Sequence, residues 1–156
     1  MRKKRFFIGL LCACLLLCTE WTLAQDEQEP ELPRIYARIR EKTLPILLEE
    51  NSSSLALIEL LKAGDLVVEM QDYGGFEKVG DLPEALPTND ERITTQPGDV
   101  ILYQGNSITI YYDVNTWTFT RLGRIQDCTQ EELMTILGDG DVSATFSLES
   151  EPTSEG

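Results

Sequence analysis

A chain of 156 residues with a formal charge of −14 and no histidine has room for one domain with its own apolar core. Without an imidazole, Ser-His-Asp and Cys-His nucleophile systems and histidine-based zinc sites are excluded. A field this negative repels phosphate backbones and anionic lipid surfaces, so nucleic acid is not an expected partner.

Residues 1–24 read as a secretory signal peptide. Arg2, Lys3, Lys4 and Arg5 open it, Phe6–Cys18 is apolar, and Thr22-Leu23-Ala24 offers a cleavage site near Ala24. The apolar run falls short of the ~20 residues that span a bilayer, so no membrane-spanning segment is expected in the mature form. The expected location is therefore outside the cytoplasm: periplasmic, extracellular or envelope-associated. A lipoprotein anchored through Cys14 is the weaker alternative, because Cys12 sits poorly in the Leu11-Cys12-Ala13-Cys14 stretch. Cleavage at Ala24 removes four basic residues and Glu20, which leaves 9 Lys and Arg against 26 Asp and Glu, or −17. It also leaves Cys128 alone, so no internal disulfide is expected and apolar burial must hold the fold.

Residues 25–33 (QDEQEPELP) have the composition of a disordered acidic linker. Ordered structure is expected from Arg34, where Ile35, Ala37 and Ile39 alternate with polar neighbours in the period of a half-buried strand. Leu44–Leu48 reads as a second strand, at an edge or a strand start because of Pro45. Asn51 or Ser52 caps a helix that runs to about Ala63 and stops at Gly64, with Leu55, Ile58 and Leu61, and Leu57 and Leu60 nearby, as its apolar stripe. Leu66–Asp72 is a strand with Leu66, Val68 and Met70 on one face.

From Tyr73 to Arg92 the pattern breaks. Gly74, Gly75, Gly80, Pro83 and Pro87 predict a broad loop, whose Tyr73, Phe76, Leu82 and Leu86 either pack down or line a groove. Three strands follow, Asp99–Gln104, Ser107–Asp113 and Trp117–Ile125, separated by turn signals and expected to form a meander. Thr129-Gln130-Glu131-Glu132 is a capping box for a short helix closed by Gly138, and Val142–Leu148 is the last strand. Residues 149–156 are a polar tail.

Little of this points to chemistry. Trp117, Phe119 and Arg121 alternate and share one face of a strand, where two rings beside a guanidinium can seat a proline, stack on a sugar or hold a carboxylate. Their plainer role is to fill the core or its rim. The carboxylates are too many for proximity to mean anything. Asp139-Gly140-Asp141 is only a fragment of a calcium loop, and no glycine-rich phosphate cradle precedes a helix. No metal and no cofactor are expected.

The order of elements, with several separated stretches, resembles a bacterial family of small cyclophilin-like β-barrel proteins of largely unknown function. Those stretches are Met70-Gln71-Asp72-Tyr73, the run from Glu77 to Thr88, Pro97-Gly98-Asp99-Val100, Leu102-Tyr103, Trp117, the run from Thr120 to Ile125, and Gly138-Asp139-Gly140-Asp141-Val142. The resemblance covers roughly 34–148. It implies a mainly β domain, a closed eight-stranded cyclophilin-like β-barrel capped by two short helices. Cyclophilins proper are peptidyl-prolyl isomerases, but no stretch here matches their arginine- and phenylalanine-bearing catalytic motif, and fold alone does not transfer an activity. The expectation is an exported, non-catalytic module that binds a peptide or small ligand in a groove formed by Tyr73, Phe76, Leu82, Leu86, Trp117, Phe119 and Arg121. The alternative is a weak peptidyl-prolyl cis-trans isomerase with Arg121 as its catalytic group.

Overall fold

The computed structural model describes residues 33–150. The signal peptide at 1–24, all of the acidic linker but Pro33, and the tail from 151 onward lie outside the described residues. Within them the chain runs β1 (Arg34–Ile39), β2 (Lys42–Leu48), α1 (Ser52–Lys62), β3 (Leu66–Tyr73), β4 (Glu77–Asp81) and β5 (Glu91–Thr94). It continues β6 (Asp99–Tyr103), β7 (Ser107–Tyr111), β8 (Thr116–Ile125), α2 (Gln130–Leu137) and β9 (Val142–Ser147).

Eight strands close into an antiparallel barrel in the order β2-β1-β9-β3-β4-β7-β6-β8, and β8 returns to β2 through Ile46↔Ile125, Leu47↔Arg124 and Leu48↔Gly123. The short β5 adds to the first half of β8, Glu91–Thr94 against Thr116–Phe119, as a ninth strand outside the ring. Inward-facing Ile35, Ala37, Ile39, Ile46, Val68, Met70, Val100, Leu102, Ile108, Ile110, Leu122 and Phe146 fill the interior. Closure leaves the ring without a free sheet edge.

The ladders also place the helices. Leu48 and Leu66, which flank α1, pair with Gly123 and Phe146, whereas Ile125 and Val142, which flank α2, pair with Ile46 and Met70 at the opposite end. Leu57 and Leu61 of α1 and Leu133 and Leu137 of α2 pack into the barrel core. The capping box of α2 forms, with Glu132 accepting from the Thr129 backbone N–H and Thr129 accepting from the Glu132 N–H.

Four expectations need correction. The three central strands are not a meander: β4 occupies the free edge of β7, so β8 crosses over and pairs with the other side of β6. Strand β2 is not an edge, because it pairs with both β1 and β8. Pro45 lies one residue beyond the β2–β8 pairing, with its carbonyl accepting from the Gln126 N–H.

Strand β4 lies inside the predicted loop, and β5 begins within its last two residues. Gly74 and Gly75, at φ 63° and 73°, make the tight β3–β4 turn. Gly80 belongs to β4 because the strand passes against β3 so closely that a Cβ there would lie 2.4 Å from Val68 Cγ1. The inward stripe of α1 is also rotated. Asn51 Nδ2 and Ser54 Oγ donate to the Arg121 and Leu122 carbonyls, and Ser53 Oγ donates to the Pro87 carbonyl. These anchors turn Leu57 and Leu61 inward and leave Leu55 exposed.

Candidate functional site

Strands β4, β6, β7 and β8 bury side chains on both faces. In β7, Ile108 and Ile110 face the barrel, while Thr109 and Tyr111 are buried on the outside. Ile101 of β6, Tyr111 and Phe119 of β8 form a second, smaller core there, joined by Phe76, Ile93 and Tyr103. Strand β5, which carries Ile93, flanks this outer cluster.

The outer cluster opens as a cleft of about 320 Å³ lined by Tyr73, Phe76, Glu77, Val79, Tyr103, Thr109, Tyr111, Asn115, Trp117 and Phe119. Its rings are mutually braced. Phe76 stacks on Tyr111 at 6.0 Å with planes 13° apart, and Tyr73 meets Phe76 edge-on at 6.2 Å. Tyr111 and Phe119 lie 5.6 Å apart, and Tyr103 meets Phe119 at 6.1 Å. Such offset and edge contacts suit the ring quadrupoles and hold the walls in place. Tyr73 and Trp117 stand at the rim, 62 % and 57 % exposed.

At the base sits one carboxylate. Glu77 is only 8 % exposed and lies directly across the β4–β7 ladder from Tyr111. Burial pushes its carboxyl above the usual range, and the Tyr111 and Thr109 hydroxyls pull it part of the way back. Burial and the neighbouring Glu77 in turn raise the Tyr111 phenol, which stays protonated. Thr109 Oγ1 is buried and has no partner of hydrogen-bond geometry. Among the described residues no lysine or arginine forms an ion pair with Glu77.

The residues singled out from sequence divide. Tyr73, Phe76, Trp117 and Phe119 are brought together in the cleft. Leu82 and Leu86 are not: both are buried in the barrel core, their backbone N–H groups donating to the Asn106 and Gly105 carbonyls. Arg121 lies outside the cleft. Its Nη2 is 3.3 Å from the fully buried carboxylate of Asp99, which also accepts from Arg124 Nε at 2.7 Å, and its Nη1 is 3.9 Å from Glu49. Phe119 lies between the cleft and a separate polar depression near Asn51 and Asn89 where Arg121 sits.

Sequence reading missed Glu77, Tyr103, Thr109 and Tyr111 as cleft residues. Ser-Ile-Thr-Ile-Tyr-Tyr at 107–112 does carry a signal, since Thr109 and Tyr111 alternate with core isoleucines. Glu77 carries none, being one carboxylate among many. Cys128 lies far from this chemistry. Burial and Glu132 raise its thiol, so it is not poised as a nucleophile. Among the described residues no cluster of His, Cys, Asp and Glu is placed to hold a metal ion, and no helix is long and apolar enough to cross a membrane.

Comparison with known proteins bears on the fold. The cyclophilin-like family model matches residues 37–147. Among solved structures, the solution structure of the hypothetical protein AF2241 from Archaeoglobus fulgidus superposes with a TM-score of 0.59 at 15 % identity, covering 78 % of this chain and 99 % of that one. A structure of McbB in complex with tryptophan aligns over 78 % of this chain and 46 % of its own, at 12 % identity and a TM-score of 0.48. No curated protein matches the sequence. Closed barrel, strand order and family match agree: the chain belongs to the cyclophilin-like family.

Proposed function

We propose that the protein is an exported, non-catalytic binding module that takes a small ligand or a peptide side chain in the outer aromatic cleft. Six aromatic side chains around one buried carboxylate carry this reading. Concave apolar sites with few, well-placed polar groups are how proteins hold small molecules, and about 320 Å³ lies at the small end of such sites. Export rests on the basic, apolar leader at 1–24.

Prolyl isomerisation fits the site less well. Lowering the ~18–20 kcal/mol amide barrier needs a donor held over the amide. Arg121 is engaged with Asp99 and Glu49 and does not reach the cleft lining. A protease-coupled assay on proline peptides should show no acceleration over background; acceleration that disappears in Arg121→Ala overturns the non-catalytic reading. For binding, Trp117→Ala should lower affinity for a cleft ligand about tenfold, as loss of one stacking wall implies. Its thermal unfolding should match the parent protein, because Trp117 is a rim residue. An unchanged affinity places the ligand elsewhere.

A further inference from the structure

Building on the cleft as a ligand site, we infer that its ligand is a protonated amine, bound with its ammonium between Glu77 and Thr109 and its carbon skeleton against the aromatic walls. Glu77 is the starting observation. It is nearly excluded from solvent, and no described cation pairs with it. A buried carboxylate without counter-charge is costly unless something neutralises it. The neighbouring lysine cannot: Lys78 points to the other face of β4, where its Nζ is held by Asp72 at 2.6 Å and by the Gly138 and Gly140 carbonyls at 2.9 and 2.6 Å.

Thr109 supplies the second observation. The residue lines the same cleft and is 1 % exposed, and its Oγ1 makes no hydrogen bond of full geometry, although it lies near enough to Glu77 to draw that carboxyl down. A buried polar atom left open beside a carboxylate suits a ligand that brings donors, and an ammonium brings several. The surroundings favour the same sign of charge. Ring faces attract a desolvated cation, and Phe76, Tyr111 and Phe119 line the same cleft as Glu77. An anion would meet Glu77 without compensation. A neutral apolar ligand would bury it more deeply still. The net charge of −14 adds an attractive field for cations approaching from solution.

The test compares two probes of nearly equal shape, 2-phenylethylamine and 2-phenylethanol, titrated by calorimetry into the full chain at neutral pH. The amine should bind at least tenfold tighter than the alcohol. In Glu77→Gln, whose fold is checked by circular dichroism, that preference should vanish. Equal binding of both probes to the parent protein overturns the amine assignment and leaves the cleft as an apolar site. No binding of either probe at millimolar concentration overturns both the assignment and the cleft reading. Because the probe comparison is made on the parent protein, it decides the matter even if the variant fails to fold.

Discussion

Glu77 and Lys78 are neighbours in sequence and opposites in circumstance. Lys78 projects inward to the α2 end of the barrel, where its side chain is 1 % exposed. There Asp72, two backbone carbonyls and the ring of Tyr112, 5.6 Å from Nζ, surround it completely. Glu77 projects outward into the aromatic cleft with two hydroxyls near it and no counter-charge among the described residues. A buried charge with all its partners ties elements of a fold together; here Lys78 joins β3, β4 and the loop from α2 to β9. A buried charge without its partner does nothing for the fold. The difference separates the structural face of β4 from the face open to function.

The most forceful way to break this contrast is Lys78→Met. It strands the Gly138 and Gly140 carbonyls and leaves Asp72 without its cation, so stability should fall by about 3 kcal/mol in urea denaturation, read as a lower midpoint at unchanged slope. A loss under 1 kcal/mol would mean that the network is decoration.

Asp72→Asn probes the same network from its wetter side and should cost about 1 kcal/mol at neutral pH, discounted because that carboxylate is partly exposed. Lys78, together with Tyr112, holds the Asp72 carboxyl below its usual range of 3.8. Its contribution is therefore fully present above that value and lost as pH falls through the lower folded value. The gap between parent and variant should close at acid pH. Tyr112 shares the site and its phenol is pushed up to about 12, chiefly by burial and then by Asp72, so it remains a donor throughout.

The smallest effect should have the opposite sign. Glu77→Gln removes a carboxylate whose folded pKa lies above its unfolded value, so it should leave stability unchanged or raise it by up to about 1 kcal/mol at neutral pH. Any gain should fade as pH falls from that raised value toward 4.5, where Glu77 becomes protonated in both states. A clear loss on this substitution would show that Glu77 supports the fold as Lys78 does.

The sequence made much of this architecture readable, and the exceptions have physical causes. Strands with one buried face, such as Arg34–Ile39 and Leu66–Tyr73, announce themselves by alternation. The capping box at Thr129 is a local signal that tertiary context does not override. Strands β4 and β5 were hidden because glycines in a turn and at a close approach look like breakers, and because Glu91–Thr94 is too short to show a period. The place of β8 beside β6 was invisible for another reason: adjacency in a closed sheet depends on which edge is already taken. At the site, Trp117 and Phe119 were legible as a pair on one face. Arg121 keeps to that face, paired across from Ile101, but Asp99 and Glu49 hold its guanidinium outside the cleft, a tertiary effect that alternation does not reveal. Leu82 and Leu86 had no period to separate a core position from a rim position.

Strand β8 serves two structures at once. Its second half is locked between β6 and β2 in the ring, whereas Thr116–Phe119 pairs with the four-residue β5 beyond it. Amides of that outer half should therefore exchange with solvent through small local openings, long before those of Leu122 to Ile125. The mouth around Trp117 can thus breathe, admit a guest and accept substitutions while the cylinder behind it stays shut.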